Sequence, residues 1–381
     1  MTDILWTPIE TTGSLDLIRT DSDVLRIEGW AAAYDGRPID GFKVHLGGQA
    51  IATLDVQAGL PSPDVAAARP DLPLGGSCRF LLSSRAPTEI RNVLVWATPM
   101  CGRLPGRSLY RLIDPLLPLP PEKHIQAIGG EFQGVAFEML GHFIERGRLR
   151  PEDRVLDVGC GVGRIAYALA YYLNARAQYD GFDVMRPLVD WASDNLGDRL
   201  PNFRFRHVDV YNRLYNPHGT LRGKTFAFPY PDASFDFVCL TSVFTHMRGP
   251  EVRHYLDEIA RVLAGGGRVV VTAFLLTPQA KDLIQRGLGT QTLVHRCGGG
   301  YVADPRVPEG AVGYDEDVLV RWIEESGLRV TGLSPGSWCG RSPALSYQDL
   351  MVLEPAVTRR SPSGTTRSHA LTRWLVQKWR A

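Results

Sequence analysis

The apolar positions follow two regimes along the chain. Over the first 115 residues they come in short runs that alternate with polar ones. Leu25-Arg26-Ile27-Glu28 and Phe42-Lys43-Val44-His45-Leu46 alternate strictly, and 78–82 and 93–97 are denser apolar runs. Alternation of this kind marks half-buried strands. Asp35-Gly36, Gly47-Gly48 and Gly75-Gly76 separate them as turns. Short strands with such punctuation predict a small antiparallel β-sandwich over 1–115. The Leu- and Pro-rich stretch 112–121 reads as a stiff linker.

Over 116–355 the runs are continuous rather than alternating. Residues 154–158, 178–183, 203–208, 237–241 and 268–274 read as buried strands, and amphipathic stretches lie between them. After Gly129-Gly130-Glu131, a helix is predicted with Phe132, Val135, Met139 and Phe143 on one side. Pro187 opens a second, over 187–196. In 251–263, Val252, Tyr255, Leu256, Ile259 and Leu263 share a face, and Gly265-Gly266-Gly267 is expected to end that helix. Asp315 is expected to cap a helix carrying Leu319, Trp322 and Ile323. Residues 328–333 and 348–353 predict a closing antiparallel pair. Alternating strand and helix predicts an α/β fold with a doubly wound sheet. Two long connections stand out: 211–228, expected to bind substrate, and 276–314, expected to be a mobile lid.

Chemistry concentrates at Val155-Leu156-Asp157-Val158-Gly159-Cys160-Gly161-Val162-Gly163-Arg164. A strand ends in a carboxylate, three glycines follow at every second position, and a helical pattern begins. Glycines let a ligand press against bare backbone, and a helix start offers unpaired N–H groups. The dinucleotide spacing is G-x-G-x-x-G, whereas here it is G-x-G-x-G. Asp157, two residues before the first glycine, would repel a pyrophosphate and suits an ammonium. Asp183, ending the next strand, suits ribose hydroxyls. The pair together points to an adenosyl amino acid, S-adenosylmethionine, with a nicotinamide dinucleotide as the rival.

This stretch closely resembles motif I of the class I methyltransferases, and the resemblance runs over 121–355. It implies a Rossmann-like, doubly wound seven-stranded sheet and S-adenosylmethionine as cofactor, held by Asp157, Gly159, Cys160, Gly161, Gly163 and Asp183. An acid after the third strand bonds the adenine amino group in that family, which implies Asp209-Val210. The stretch 228–247 resembles motif IV and places Thr241 at the cofactor. The helix before motif I covers the cofactor in the family, so Glu131 is expected to face its methionine end. His246, just past strand four, is expected to be the general base for an alcohol acceptor. Tyr230, Trp338 and Arg341 are expected to bind the acceptor, because aromatic faces with a forked cation suit a sugar. Ser337-Trp338-Cys339-Gly340-Arg341 resembles bacterial methyltransferases acting on surface glycans, so a sugar hydroxyl is the expected acceptor. A small-molecule carboxylate or amine, or a non-catalytic cofactor-binding scaffold, are the alternatives. Gly29-Trp30-Ala31, Asp40-Gly41-Phe42 and 61–66 resemble an immunoglobulin-like accessory domain.

Bulk properties narrow this little. The 381 residues carry a net charge of +1, so no overall field points to nucleic acid. The six cysteines show no C-x-x-C spacing, so neither a zinc site nor a disulfide framework is expected, and no metal is invoked. Residues 1–10 carry acids and no long apolar run, so no export signal is expected, and no stretch reaches membrane-span length. A cytoplasmic location fits. Residues 356–381 form a basic tail in which Leu371, Trp374, Leu375 and Trp379 predict a short amphipathic helix suited to a peripheral membrane contact.

Overall fold

The computed structural model describes residues 9–21, 23–85, 92–342 and 344–356. The tail with its apolar stripe lies outside the described residues.

The alternating runs of the first regime form two antiparallel sheets. Thr11–Asp21, Val24–Ala33, Arg79–Arg85 and Thr53–Leu60 make the first, in that spatial order. Gly41–Leu46 and Val93–Cys101 lead the second, with Gln49–Ile51, Leu104–Pro105 and Leu109–Ile113 around them. The period of two puts Leu25, Ile27, Phe80 and Leu82 on the inner face of one sheet, where they meet Val44, Val95, Ala97 and Leu109 of the other. The first two residues of the expected linker, Leu112 and Ile113, end the strand Leu109–Ile113. Leu94 and Trp96 point the other way and join the apolar cluster of the second half of the chain. There Trp96 packs 6.5 Å from Tyr172. Thr98 and Ser108 each reach Glu145 Oε1 at 3.2 Å. The second sheet therefore packs against the α/β half of the molecule.

The second half is a seven-stranded sheet. Its strands are β1 (Arg154–Val158), β2 (Gln178–Asp183), β3 (Phe203–His207), β4 (Phe235–Leu240), β5 (Leu263–Ala273), β6 (Leu328–Ser334) and β7 (Asp349–Pro355). They lie in the order β3-β2-β1-β4-β5-β7-β6. The first five are parallel, and β7 runs antiparallel to both β5 and β6. The helices are α1 (Glu122–Ile128), α2 (Phe132–Glu145), α3 (Arg164–Leu169), α4 (Arg186–Ala192), α5 (Gly249–Val262), α6 (Pro278–Gln285) and α7 (Glu316–Glu325). Strand order reverses between β1 and β4, which opens a crevice at the carboxyl ends of the strands. Among the described residues no helix is long and apolar enough to cross a membrane.

Three expectations change. The glycine run does not cap α5. Leu263 is already extended, and the glycines lie inside β5, where the register with β4 jumps from Phe235↔Leu263 to Phe237↔Arg268. Asp315 precedes α7 without bonding its first turn, because its carboxylate is taken by Lys281 Nζ at 2.6 Å. Residues 276–314, the expected lid, form a cap built on short strands and the helix α6 rather than a long loop. Leu275–Leu276, Val312–Asp315, Gly300–Val302 and His295–Cys297 pair in a four-stranded sheet. Phe274, Leu276, Ile284, Leu293 and Trp338 pack beneath it. Strands of two to four residues leave too little periodicity to read from sequence.

Candidate active site

The glycine turn after β1 is fixed by β2. Gly159 N and Cys160 N donate to Phe182 O at 2.8 and 3.0 Å. Gly161 N donates to Asp183 Oδ2 at 2.9 Å, and Met185 N to Asp183 Oδ1 at 2.8 Å. Gly159 and Gly161 have φ of +79° and +52°, a region side chains rarely adopt. Both line a cleft of about 1210 Å³, measured with its open mouth, at the carboxyl edge of the sheet. Gly163 serves packing instead: it is absent from the cleft wall, and a Cβ there would come within 2.8 Å of Leu196.

Asp183, Cys160, Val210 and Thr241 stand in the wall. The Asp183 carboxylate uses one acceptor position of each oxygen on backbone N–H groups, which leaves others for hydroxyls of a ligand. Burial pushes this carboxyl up, against the pull of those N–H donors. Ala127 and Ile128 of α1 and Val135 of α2 close the far side. Arg164 fastens that cover by donating to Gly129 O and lying 5.8 Å over the Phe132 ring. Glu131 does not face the cleft contents, because its carboxylate caps α2 at Gln133 N and Gly134 N.

Asp157 is placed differently from the expectation. It is 1% exposed and does not line the cleft. Tyr179 donates to its Oδ2 at 2.7 Å, and Cys239 Sγ lies 3.6 Å from its Oδ1. The carboxyl supports the sheet beneath the turn rather than gripping a ligand directly. Burial pushes its pKa from 3.8 to about 7, although the bonds from Tyr179 and Cys239 oppose this. The fold therefore favours the protonated form. That stabilisation is complete below about pH 4 and is lost as pH rises through about 7. Urea unfolding of wild type and Asp157→Asn at pH 4 and pH 7.5 should show the wild type losing stability relative to the variant at the higher pH.

Asp209 is also corrected. Its oxygens accept from Thr220 N, Thr220 Oγ1 and Asn216 Nδ2 at 3.1, 2.7 and 3.2 Å. It ties down its own loop and lies outside the cleft wall, which Val210 and Tyr211 supply instead. The three expected acceptor residues lie away from the cleft. Tyr230 packs edge-on to Phe235, 4.9 Å away, at the amino end of β4. Trp338 is fully buried, and its Nε1 donates to Asp349 Oδ2 at 2.6 Å. Arg341 is buried beside it and pairs with Asp349 Oδ1 at 3.0 Å.

His246 does line the cleft, from the single turn Phe244–His246 after β4. Its Nδ1 lies 2.8 Å from Glu309 O. A carbonyl only accepts, so Nδ1 carries the hydrogen and Nε2 holds a lone pair. Burial lowers the imidazole pKa from 6.5, partly offset by that carbonyl. Tyr215 from the long loop stands edge-on to the ring, centroids 5.2 Å apart, with its hydroxyl 3.4 Å from Nδ1 and 3.5 Å from Nε2. Ser242, also in the wall, has φ of +62° and is held there by Thr272 Oγ1 on its N–H and by Gln348 Nε2 on its hydroxyl. A non-glycine residue in that conformation stores strain, a recurrent feature of functional sites. Tyr215, Ser242 and Arg164 were missed as site residues. The length of the 211–228 loop is the signal for the first, Arg164 closes the glycine-rich stretch, and nothing in the sequence marks Ser242.

This sheet order, with its antiparallel β7, its side-chain-free turn and its acid at the end of β2, is the Rossmann-like arrangement that the resemblance to the class I methyltransferases implies. Residues 156–271 match the family described as the methyltransferase domain. The chain is 33% identical over 135 residues to 27-O-demethylrifamycin SV methyltransferase of Amycolatopsis mediterranei, covering 35% of this chain and 43% of that one. It is 30% identical over 122 residues to 2-phytyl-1,4-naphtoquinone methyltransferase of Synechococcus elongatus, covering 32% and 46%. With demethylmenaquinone methyltransferase of Deinococcus radiodurans it shares 29% over 199 residues, 49% and 74% of the two chains. The chain spans less than half the length of the first two.

Proposed function

We propose that the chain methylates a hydroxyl oxygen of a small, ring-bearing organic acceptor. S-adenosylmethionine supplies an electrophilic methyl group on a positively charged sulfur. The residues present fit it: a side-chain-free cradle at Gly159 and Gly161, and the spare acceptor positions of Asp183 for ribose hydroxyls. Val210 and Ile128 give apolar walls for a base. His246 takes up the proton that the acceptor hydroxyl gives up on methylation, at Nε2.

The observation that carries this is the bond from Nδ1 to Glu309 O, which leaves Nε2 without a hydrogen on a residue of the cleft wall. A neutral imidazole in that tautomer is what a general base requires. The acceptor class rests on the lining. Tyr211, Tyr215, Met247 and Tyr255 share the cleft, whereas the aromatic and cationic residues that suggested a sugar stand elsewhere. The relatives named for rifamycin and for naphthoquinone substrates support a ring-bearing acceptor of this kind.

The test is methyl transfer to a panel of hydroquinones, phenolic macrocycles and sugars by wild type and His246→Ala. The variant should lose about 100-fold in kcat while its S-adenosylhomocysteine affinity stays within twofold. Because the imidazole pKa is lowered, the wild-type rate should fall only below pH 6.5. Unchanged turnover in the variant removes the base role. Methylation of sugars alone overturns the acceptor class, and transfer to nothing favours a non-catalytic scaffold.

A further inference from the structure

Four consecutive residues, 246 to 249, each bond to the cap. His246 Nδ1 meets Glu309 O at 2.8 Å, and Tyr314 donates its hydroxyl to Met247 O. Arg248 Nη2 donates to Glu309 Oε1 at 3.1 Å, and Gly249 N to Gly298 O at 2.9 Å. Glu309 is thus engaged twice, once through its main-chain carbonyl and once through its carboxylate. It sits on the single turn Pro308–Gly310 and is only 6% exposed. Its Oε2 has no hydrogen-bond partner among the described residues.

A buried carboxylate held through one oxygen adds little to stability, since desolvation offsets the attraction. What the pair adds is a fixed position. Arg248 is itself anchored, because its N–H donates to Glu251 Oε2 at 3.0 Å. Its side-chain stem lies against Gly298, where a Cβ would come within 3.2 Å of Arg248 Cδ. The guanidinium therefore holds Glu309 at a set distance from the residue two places before it, the imidazole.

We propose that Glu309 is a positioning residue for His246. Its carboxylate, gripped by Arg248, places its own carbonyl so that the imidazole keeps its hydrogen on Nδ1 and leaves Nε2 unprotonated. The other groups facing the ring do not set this tautomer. The Tyr215 hydroxyl lies at the limit of bonding to both nitrogens, and Asn212 Nδ2 bonds only the His246 carbonyl, at 3.3 Å. The charges of Arg248 and Glu309 offset each other. The catalytic meaning of the tautomer rests on His246 acting as the base, but the tautomer itself does not.

The test is nitrogen NMR of the full chain with ¹⁵N-labelled histidine, in wild type, Glu309→Ala and Arg248→Met. Glu309→Ala keeps the carbonyl and loses its anchor. Arg248 is exposed, so its replacement leaves folding intact if the buried site does not tolerate alanine. Wild type should show hydrogen on Nδ1 of His246. Both variants should shift it to Nε2 in most molecules, with kcat lowered about tenfold and the KM for the cofactor unchanged. Glu309→Gln, which can still accept from Arg248, should restore most of the wild-type tautomer. Hydrogen on Nε2 in wild type, or an unchanged tautomer in folded variants, overturns the proposal. A shifted tautomer with full turnover upholds the positioning and instead removes His246 as base.

Discussion

Asp183→Ala is expected to weaken S-adenosylhomocysteine binding about 1000-fold, close to 4 kcal/mol. The carboxylate stands in the cleft wall at the end of β2, on the strand beside the glycine turn. Its removal would delete the acceptors proposed for two ribose hydroxyls, and a hydrogen bond to a charged group contributes about 1.5–3 kcal/mol. It also frees Gly161 N and Met185 N, so the turn loses the bond that sets its shape. Asp183→Asn keeps an acceptor and should fall in between. Isothermal titration measures both variants, and a loss below tenfold would mean that the carboxylate does not touch the ligand. Titrating wild type with NADH separates the remaining rival, since a dinucleotide site would take up heat with that compound and not with S-adenosylhomocysteine.

The second large effect is structural. Asp349→Ala should destabilise the fold by about 3–5 kcal/mol, because breaking a buried ion pair strands the partner charge. The Asp349 carboxylate is 1% exposed and collects four donors. Leu275 N and Trp338 Nε1 reach Oδ2 at 2.8 and 2.6 Å, and Gly336 N and Arg341 Nη1 reach Oδ1 at 2.8 and 3.0 Å. These tie β7, the root of the cap and the loop after β6 into one unit. Burial pushes the carboxyl up while Arg341 and the three other N–H groups pull it down. The melting temperature should drop by about 10 °C, seen by circular dichroism. Below the transition, cofactor affinity should match wild type. A variant that stays stable but loses acceptor turnover would return Trp338 and Arg341 to the substrate role that their residue types suggest.

The sequence shows the parallel core clearly, because buried strands are continuous apolar runs and each ends near a turn signal. β1 and β2 lie where the runs at 154–158 and 178–183 place them. Gly159, Gly161 and Asp183 were legible for the same reason: a turn that must avoid side chains and an acid at a strand end are local features. What failed was direction. Asp157 and Asp209 sit at the expected positions on the chain, but Tyr179 claims one and Thr220 with Asn216 the other, and those partners are distant or in a loop. Trp338 and Arg341 look like ligand binders by residue type, and only the fold shows that they enclose Asp349. The bond from His246 to Glu309 spans 63 residues and uses a main-chain carbonyl, so no residue type announces it.

A crystal structure of the chain with S-adenosylhomocysteine tests the central claim most directly. The account predicts the ligand along the glycine turn, its ribose hydroxyls within hydrogen-bonding distance of Asp183 and its sulfur on the His246 side of the cleft. A ligand seated elsewhere, or one whose ribose avoids Asp183, would contradict it.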